Sequence, residues 1–325
     1  MENLSPHKFI HQVVLNGDKT HDNISTDEID NIEHDQTAWQ HIDGSQPESQ
    51  AWLMNEAQLD VGVANALCAD ETRPRSFKSK NGILVVLRGV NMNPGHDPED
   101  MVAIRVWLEK NRIISVRHRP VMSLQDIIED LENGDGPRTS GEFLTELVDK
   151  LANRIGEFVN GIDEELAETE DNLEQIKPAD LRETLGSLRR QIAVVRRYLA
   201  PQRDVLDRLK HIDSTIFSER DQQRLRDESD RVTRYLEDLD LARERAVVLQ
   251  EAFLAQIAQQ QNARMYVISI LSAIFLPLGF LTGLLGINIG GIPGAANPNA
   301  FWVFVVVLVV IVGFQFWVFR KLKWF

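Results

Sequence analysis

The sequence predicts an α/β domain with a mixed or antiparallel sheet flanked by helices, followed by a long stalk helix and a two-helix transmembrane hairpin. Three observations predict it. Short runs of alternating β-branched and polar residues occupy 82–118, a helical pattern begins near residue 142 and persists, and no Asp, Glu, Lys or Arg occurs between 265 and 319. The expected organisation is an α/β domain over 1–155, a helical stalk over 156–264 and a membrane part over 265–325.

Residues up to about 36 carry no clear pattern. From Trp39 the chain becomes ordered: AWQHIDG reads as a strand, ESQAWLMNEAQL as a turn and helix, and VGVANALCA as a further apolar helix. GILVVLRGVN (82–91) and MVAIRVWLEKNRIISVRH (101–118) read as strands, with turn signals at NPGHDPED and EKN.

One helix is expected over 142–176, and Pro178 opens a second that extends toward Leu209. A third begins near Glu219 and meets no Pro or Gly before the apolar region. Its spaced apolar positions are Leu225, Val232, Leu236, Leu239, Val247 and Phe253. Running unbroken to residue 287, it would approach about 100 Å, a length suited either to a mechanical lever or to a plain support. The acidic stretch IDEELAETEDNLEQ (162–175) reads as a solvated helix face or as part of a weak metal site in an oligomer.

The two apolar stretches, 265–287 and 301–319, are each long enough to cross the hydrocarbon. Between them NIGGIPGAANPNA holds three Gly and two Pro and cannot continue a helix. Arg264 precedes the first span and Arg320, Lys321 and Lys323 follow the second, whereas the loop has no basic residue. Both termini are therefore expected on the cytoplasmic side of a bacterial inner membrane. The opening MENLSPHKFIHQVVLNGDK lacks an apolar run of signal-peptide length, in keeping with this orientation. Phe301 and Trp302 at one edge, with Trp317, Phe319 and Trp324 at the other, fit interfacial anchoring.

The net charge is -14. With Arg320, Lys321 and Lys323 set aside, residues 1–264 carry 49 acidic side chains and the other 32 of the 35 basic ones, a balance of -17. Such a field repels nucleic acid and concentrates cations on a concave surface. The single cysteine, Cys68, excludes an internal disulfide framework and reads as an inert thiol in an apolar stretch. The chain has no Walker pattern, HExxH, GxSxG or nucleotide-binding glycine fingerprint, and no close histidine pair beyond His7 and His11. An enzyme is not expected, nor is a cofactor.

Two helices cannot enclose a water-filled path, so transport requires several copies around an axis. Met265, Ser269, Ser272, Leu276, Gly279, Gly283 and Gly286 fall on one face of the first span. This stripe suits either the lining of a pore or close helix packing. Pro277 leaves the carbonyl near Ala273 without its usual donor, so a bend or a water-accessible oxygen is expected. Glu251 extends the same face downward through Ala258 and Ala255, as an acidic ring at a cytoplasmic mouth or as an ordinary surface glutamate. Asn288, at the far end of the span, offers an amide oxygen that several copies can present as a ring to the waters of a hydrated cation, or it serves as a helix cap.

The succession of a large N-terminal domain, a long helix, a span closing in Gly286-Ile287-Asn288, a short loop and a second span with basic residues after it resembles the CorA superfamily of divalent-cation transporters. That family's signature at this place is Gly-Met-Asn, so the glycine and asparagine match and Ile287 departs. An aliphatic middle residue, the following GGIPG, and the stretches DETRPR (70–75) and RGVNMNPGHDPEDMV (88–102) are similar to its zinc-transporter branch, ZntB. The resemblance implies a homopentamer with a funnel-shaped cytoplasmic domain and an axial pore lined by the first span. It also implies an outer entrance formed by Asn288 with Gly286 and Ile287, and Zn2+ movement coupled to a proton gradient. The pore face has no His, Cys or carboxylate for a dehydrated zinc ion, so passage as a hydrated ion is expected. A Mg2+, Co2+ or Ni2+ channel of the same architecture and a non-transporting membrane scaffold are the competing expectations.

Overall fold

The computed structural model describes residues 9–15, 36–70, 72–173, 175–212, 215–287, 292, 294 and 297–321. The chain divides into two compact units, Met1–Gln250 and Glu251–Phe325.

In the first unit a six-stranded sheet runs β1 (His11–Leu15), β2 (Thr37–Asp43), β3 (Arg75–Lys78), β4 (Ile83–Gly89), β5 (Val102–Leu108) and β6 (Arg112–Arg117), in the spatial order β1-β2-β6-β5-β4-β3. Every pairing is antiparallel except β2–β6, which is parallel, so the sheet is mixed. The parallel pair is tied by side chains as well as backbone. The Trp39 indole donates to Ser115 Oγ at 2.8 Å, and the same hydroxyl lies 2.7 Å from His41 Nδ1. Burial, reinforced by the Arg117 and His11 charges, holds the His41 pKa down at about 3, so the imidazole is neutral.

Helices cover both faces. On one, α1 (Pro47–Asn55) and α2 (Val61–Cys68) bring Trp52, Leu53, Val63 and Leu67 onto Leu84, Val86, Trp107 and Ile114. Cys68 packs at the edge of this cluster, half-buried, and burial raises its thiol pKa. The other face receives α4 (Ser140–Asp171), with Trp39 against Phe143 at a centroid distance of 4.8 Å; α5 (Pro178–Leu209) lies beside β3 and β4, where Gln202 Oε1 accepts from the Arg88 backbone N–H at 2.7 Å. Gly89 allows the close approach of α4, since a Cβ there would lie 2.5 Å from Leu151. The helix α3 (Met122–Glu132) links β6 to α4, and its Asp126 pairs with Arg154 at 2.7 Å.

The helix ends follow their capping chemistry. α4 begins at Ser140 because Thr139 accepts from the Glu142 N–H, two residues before the expected start. It stops at Asp171, where Asn172 forms the C-cap, so the expected extension to 176 does not occur. Ser218 and Asp221 form a reciprocal capping box that opens α6 (Glu219–Leu285). Within α6, Leu225, Val232, Leu236 and Leu239 are buried as expected, but farther along the covered positions are Ala242, Ala246 and Leu249 rather than Val247. The acidic stretch before residue 175 is partly paired, because Arg245 of α6 engages both Asp163 and Glu170 of α4. The strands β1 and β3 are additions to the sequence expectation, each a short edge strand.

Candidate ion path in the transmembrane hairpin

The second unit consists of the end of α6, a connecting segment and α7 (Ala300–Lys321). The apolar windows of α6 and α7 are almost wholly uncovered by the rest of the protomer. A core helix of a soluble protein would be covered; these two helices are long and apolar enough to cross a membrane and expose that surface.

One side of the first span is covered, marked by buried Ile270 and by the reduced exposure of Ala273, Ile274, Pro277, Leu278 and Leu281. The less exposed positions of α7 recur at helical spacing: Phe304, Leu308, Ile311, Gln315 and Val318. Gln315 Nε2 donates to Ala273 O at 3.1 Å. This corrects the expectation of a free carbonyl. Pro277 removes the intrahelical donor, and the amide of the second span replaces it. Gln315 was not singled out from the sequence, although it is the one polar side chain in 301–319, which is the signal that marks it.

The stripe lies on the opposite side. Met265, Ser269, Ser272, Leu276, Gly279, Gly283 and Gly286 are all exposed, Leu276 at 74%. A Cβ added at Gly279 or Gly283 would meet nothing within 4 Å, so these glycines do not serve close packing inside the hairpin. Ser269 Oγ donates to Met265 O at 2.8 Å, so its hydroxyl oxygen remains able to accept. Glu251, Ala255 and Ala258 are likewise exposed on α6.

At the far end of the span, the Gly286 N–H closes the helix on Thr282 O at 2.9 Å. A Cβ at Gly286 would sit 2.8 Å from that same oxygen, so glycine is required by the tight approach. Ile287 is 45% exposed, and Asn288 lies outside the described residues. Phe301, Trp302 and Trp317 are exposed, and Lys321 Nζ stands 5.2 Å from the Trp317 ring centroid. Phe319 is a correction, being only 8% exposed and so a packing residue rather than an interfacial anchor; Trp324 lies outside the described residues. Among the described residues, no group of three His, Cys, Asp or Glu side chains is placed to hold a metal ion.

Comparison with known proteins agrees with this arrangement. Residues 34–321 match the family described as CorA-like Mg2+ transporter protein. The chain is 43% identical over 296 residues to the divalent cation transporter CmaX of Pseudomonas aeruginosa, covering 89% of this chain and 88% of that one. It is 39% identical over 302 residues to the zinc transport protein ZntB of Yersinia enterocolitica, covering 93% and 91%. Among solved structures, full-length CmaX superposes with a TM-score of 0.86 at 39% identity, over 99% of this chain and 100% of that one. The family match spans both units, the sheet domain and the hairpin alike, and the chain is accordingly a member of the CorA family of divalent-cation transporters.

Proposed function

We propose that this protein carries hydrated Zn2+ across a bacterial inner membrane along the axis of a homopentamer, with the first span of each copy lining the path. The observation that carries the reading is the stripe from Met265 to Gly286, exposed on the side of α6 away from its covered face, free of ionisable groups and without packing partners at Gly279 and Gly283. Such a surface supports passage of an ion that keeps its water shell, since serine hydroxyls and backbone carbonyls accept from bound waters but do not replace them. Asn288, with Gly286 and Ile287, forms the outer entrance in this proposal, and Glu251 the cytoplasmic mouth. Zinc is favoured by the likeness to ZntB. A second reading, a Mg2+, Co2+ or Ni2+ channel, is favoured by the description of the family itself.

The positive residues flanking the two spans support placing both termini in the cytoplasm. The first span contains no ionisable side chain, so proton coupling would run through water or hydroxide in the path, or through groups of the N-terminal unit. Purified protein in liposomes, tested with Zn2+, Mg2+, Co2+ and Ni2+ with and without a pH gradient, separates the readings. Zn2+ uptake that rises with the gradient is expected. Flux of Mg2+ with none of Zn2+ would overturn the zinc assignment.

A further inference from the structure

The region preceding the membrane spans is strongly acidic, yet five arginines gather in one cavity of its first compact unit. Among the described residues, Arg73, Arg88, Arg105, Arg119 and Arg197 line a space of about 580 Å³ together with two carboxylates, Asp70 and Asp100. The cavity joins the stretches 70–75 and 88–102 with α5, so it accounts for two segments that the ion path does not use. His118 adds no charge at neutral pH, since burial and then the Arg105 guanidinium lower its pKa. Among the described lining residues, guanidinium groups therefore outnumber carboxylates.

Arg105 is the central observation. It lies in the middle of β5, between Val86 of β4 and Val116 of β6, and is 1% exposed. Its Nη2 donates to Asp70 O at 2.9 Å and to Ala69 O, while Nε and Nη1 have no partner among the described residues. Arg88 is similarly short of countercharge: its donors go to the neutral carbonyls of Thr72 and Met101, and its guanidinium lies 4.2 Å from the Tyr198 ring centroid. Burial lowers the Arg88 pKa, with the Arg119 and Arg197 charges pushing in the same direction and Tyr198 and Asp100 opposing. Asp70 and Asp100 attract Arg105 and Arg88 through charge, yet the guanidinium donors go to backbone carbonyls, and a buried guanidinium with open donors is costly unless an anion completes it.

The rim differs from the floor. Arg119 is already neutralised by Asp100 at 2.5 Å. Arg197 and Arg73 are exposed, with Arg197 stacked on Tyr198 at 4.8 Å. Phosphoryl oxygens match the planar guanidinium fork bidentately, a geometry a spherical halide does not offer. The cavity volume is that of a small-molecule site. We propose that this cavity binds a phosphorylated small molecule through a diphosphate group, with Arg105 at its floor and Arg73 and Arg197 at its rim.

Calorimetric titration of inorganic pyrophosphate into full-length protein in detergent, in metal-free buffer, tests this. Saturable binding is expected, tighter than that of inorganic phosphate and not displaced by an equal concentration of chloride. Arg105→Met is expected to weaken it by about tenfold or more, and Arg73→Ala or Arg197→Ala by several-fold. Because Arg105 is buried, its variant is read alongside a thermal melt; the two rim variants alter exposed side chains and decide the matter if Arg105→Met does not fold. Absence of pyrophosphate binding by the wild type, equal competition by chloride, or affinity unchanged in both rim variants would overturn the proposal.

Discussion

The Gln315 amide nitrogen stands 3.1 Å from the carbonyl oxygen of Ala273, the carbonyl that Pro277 deprives of its helical donor. The two spans are therefore joined by a hydrogen bond to a carbonyl that a proline four residues away leaves without its helical donor. In an apolar setting an unpaired carbonyl is costly, so this bond holds the hairpin at a defined register.

Coupling between these positions is the first expectation. Gln315→Leu orphans the Ala273 carbonyl when Pro277 is present, but not in a Pro277→Ala background, where the restored N–H reaches that oxygen. Thermal unfolding in detergent should show a cost about 1 kcal/mol larger in the proline background. Equal costs in both backgrounds would show that Gln315 acts by packing alone.

A second expectation concerns the stripe. A Cβ at Gly283 meets nothing within 4 Å of its own protomer, so Gly283→Val leaves the single hairpin unstrained. Its added bulk projects where the proposal puts the axis. Zn2+ flux in liposomes should fall by about an order of magnitude with assembly size unchanged; undiminished flux would remove Gly283 from the path.

Asn288→Ala tests the proposed entrance. Loss of the amide oxygen should reduce flux or broaden selectivity among Zn2+, Mg2+ and Co2+, with the oligomer intact by size-exclusion chromatography. Unchanged uptake and unchanged selectivity would leave a capping role only.

The N-terminal unit yields a pH expectation. Burial pushes the Glu228 carboxyl up to about 7, against the pull of Arg231 and with the Asp149 charge adding to the rise. The folded protein thus holds this proton more tightly than the unfolded chain does. The stabilisation is complete below the ordinary value of 4.5 and is lost as pH rises through about 7. Glu228→Gln should therefore reduce the fall in stability between about pH 5 and 8 by an amount on the order of 1 kcal/mol, read as a smaller drop in melting temperature over that range. An identical fall in the variant would place the titrating group elsewhere.

Much of the architecture was legible because it rests on periodicity. The charge-free windows gave both spans, and alternation gave β2, β4, β5 and β6. The edge strands β1 and β3 were not legible, since five and four residues carry too little alternation and their place is set by pairing with β2 and β4. The stripe was readable as a face, but that it lies away from the covered side of α6 depends on where α7 packs. Gln315 was hidden for a different reason: its role is visible only once the backbone oxygen freed by Pro277 is seen opposite it. The five-arginine cavity is likewise tertiary, assembled from residues as far apart as Asp70 and Tyr198.

The claim that this stripe faces water at a symmetry axis is tested most directly by cysteine accessibility. With the natural thiol removed by Cys68→Ser, single replacements Ser272→Cys and Leu276→Cys sample the stripe, while Leu271→Cys and Leu284→Cys sample the exposed flanks. A charged, membrane-impermeant thiol reagent should abolish Zn2+ flux at the first pair and leave it intact at the second. Block at the flanks without block at the stripe, or no block at any of the four, would contradict the account.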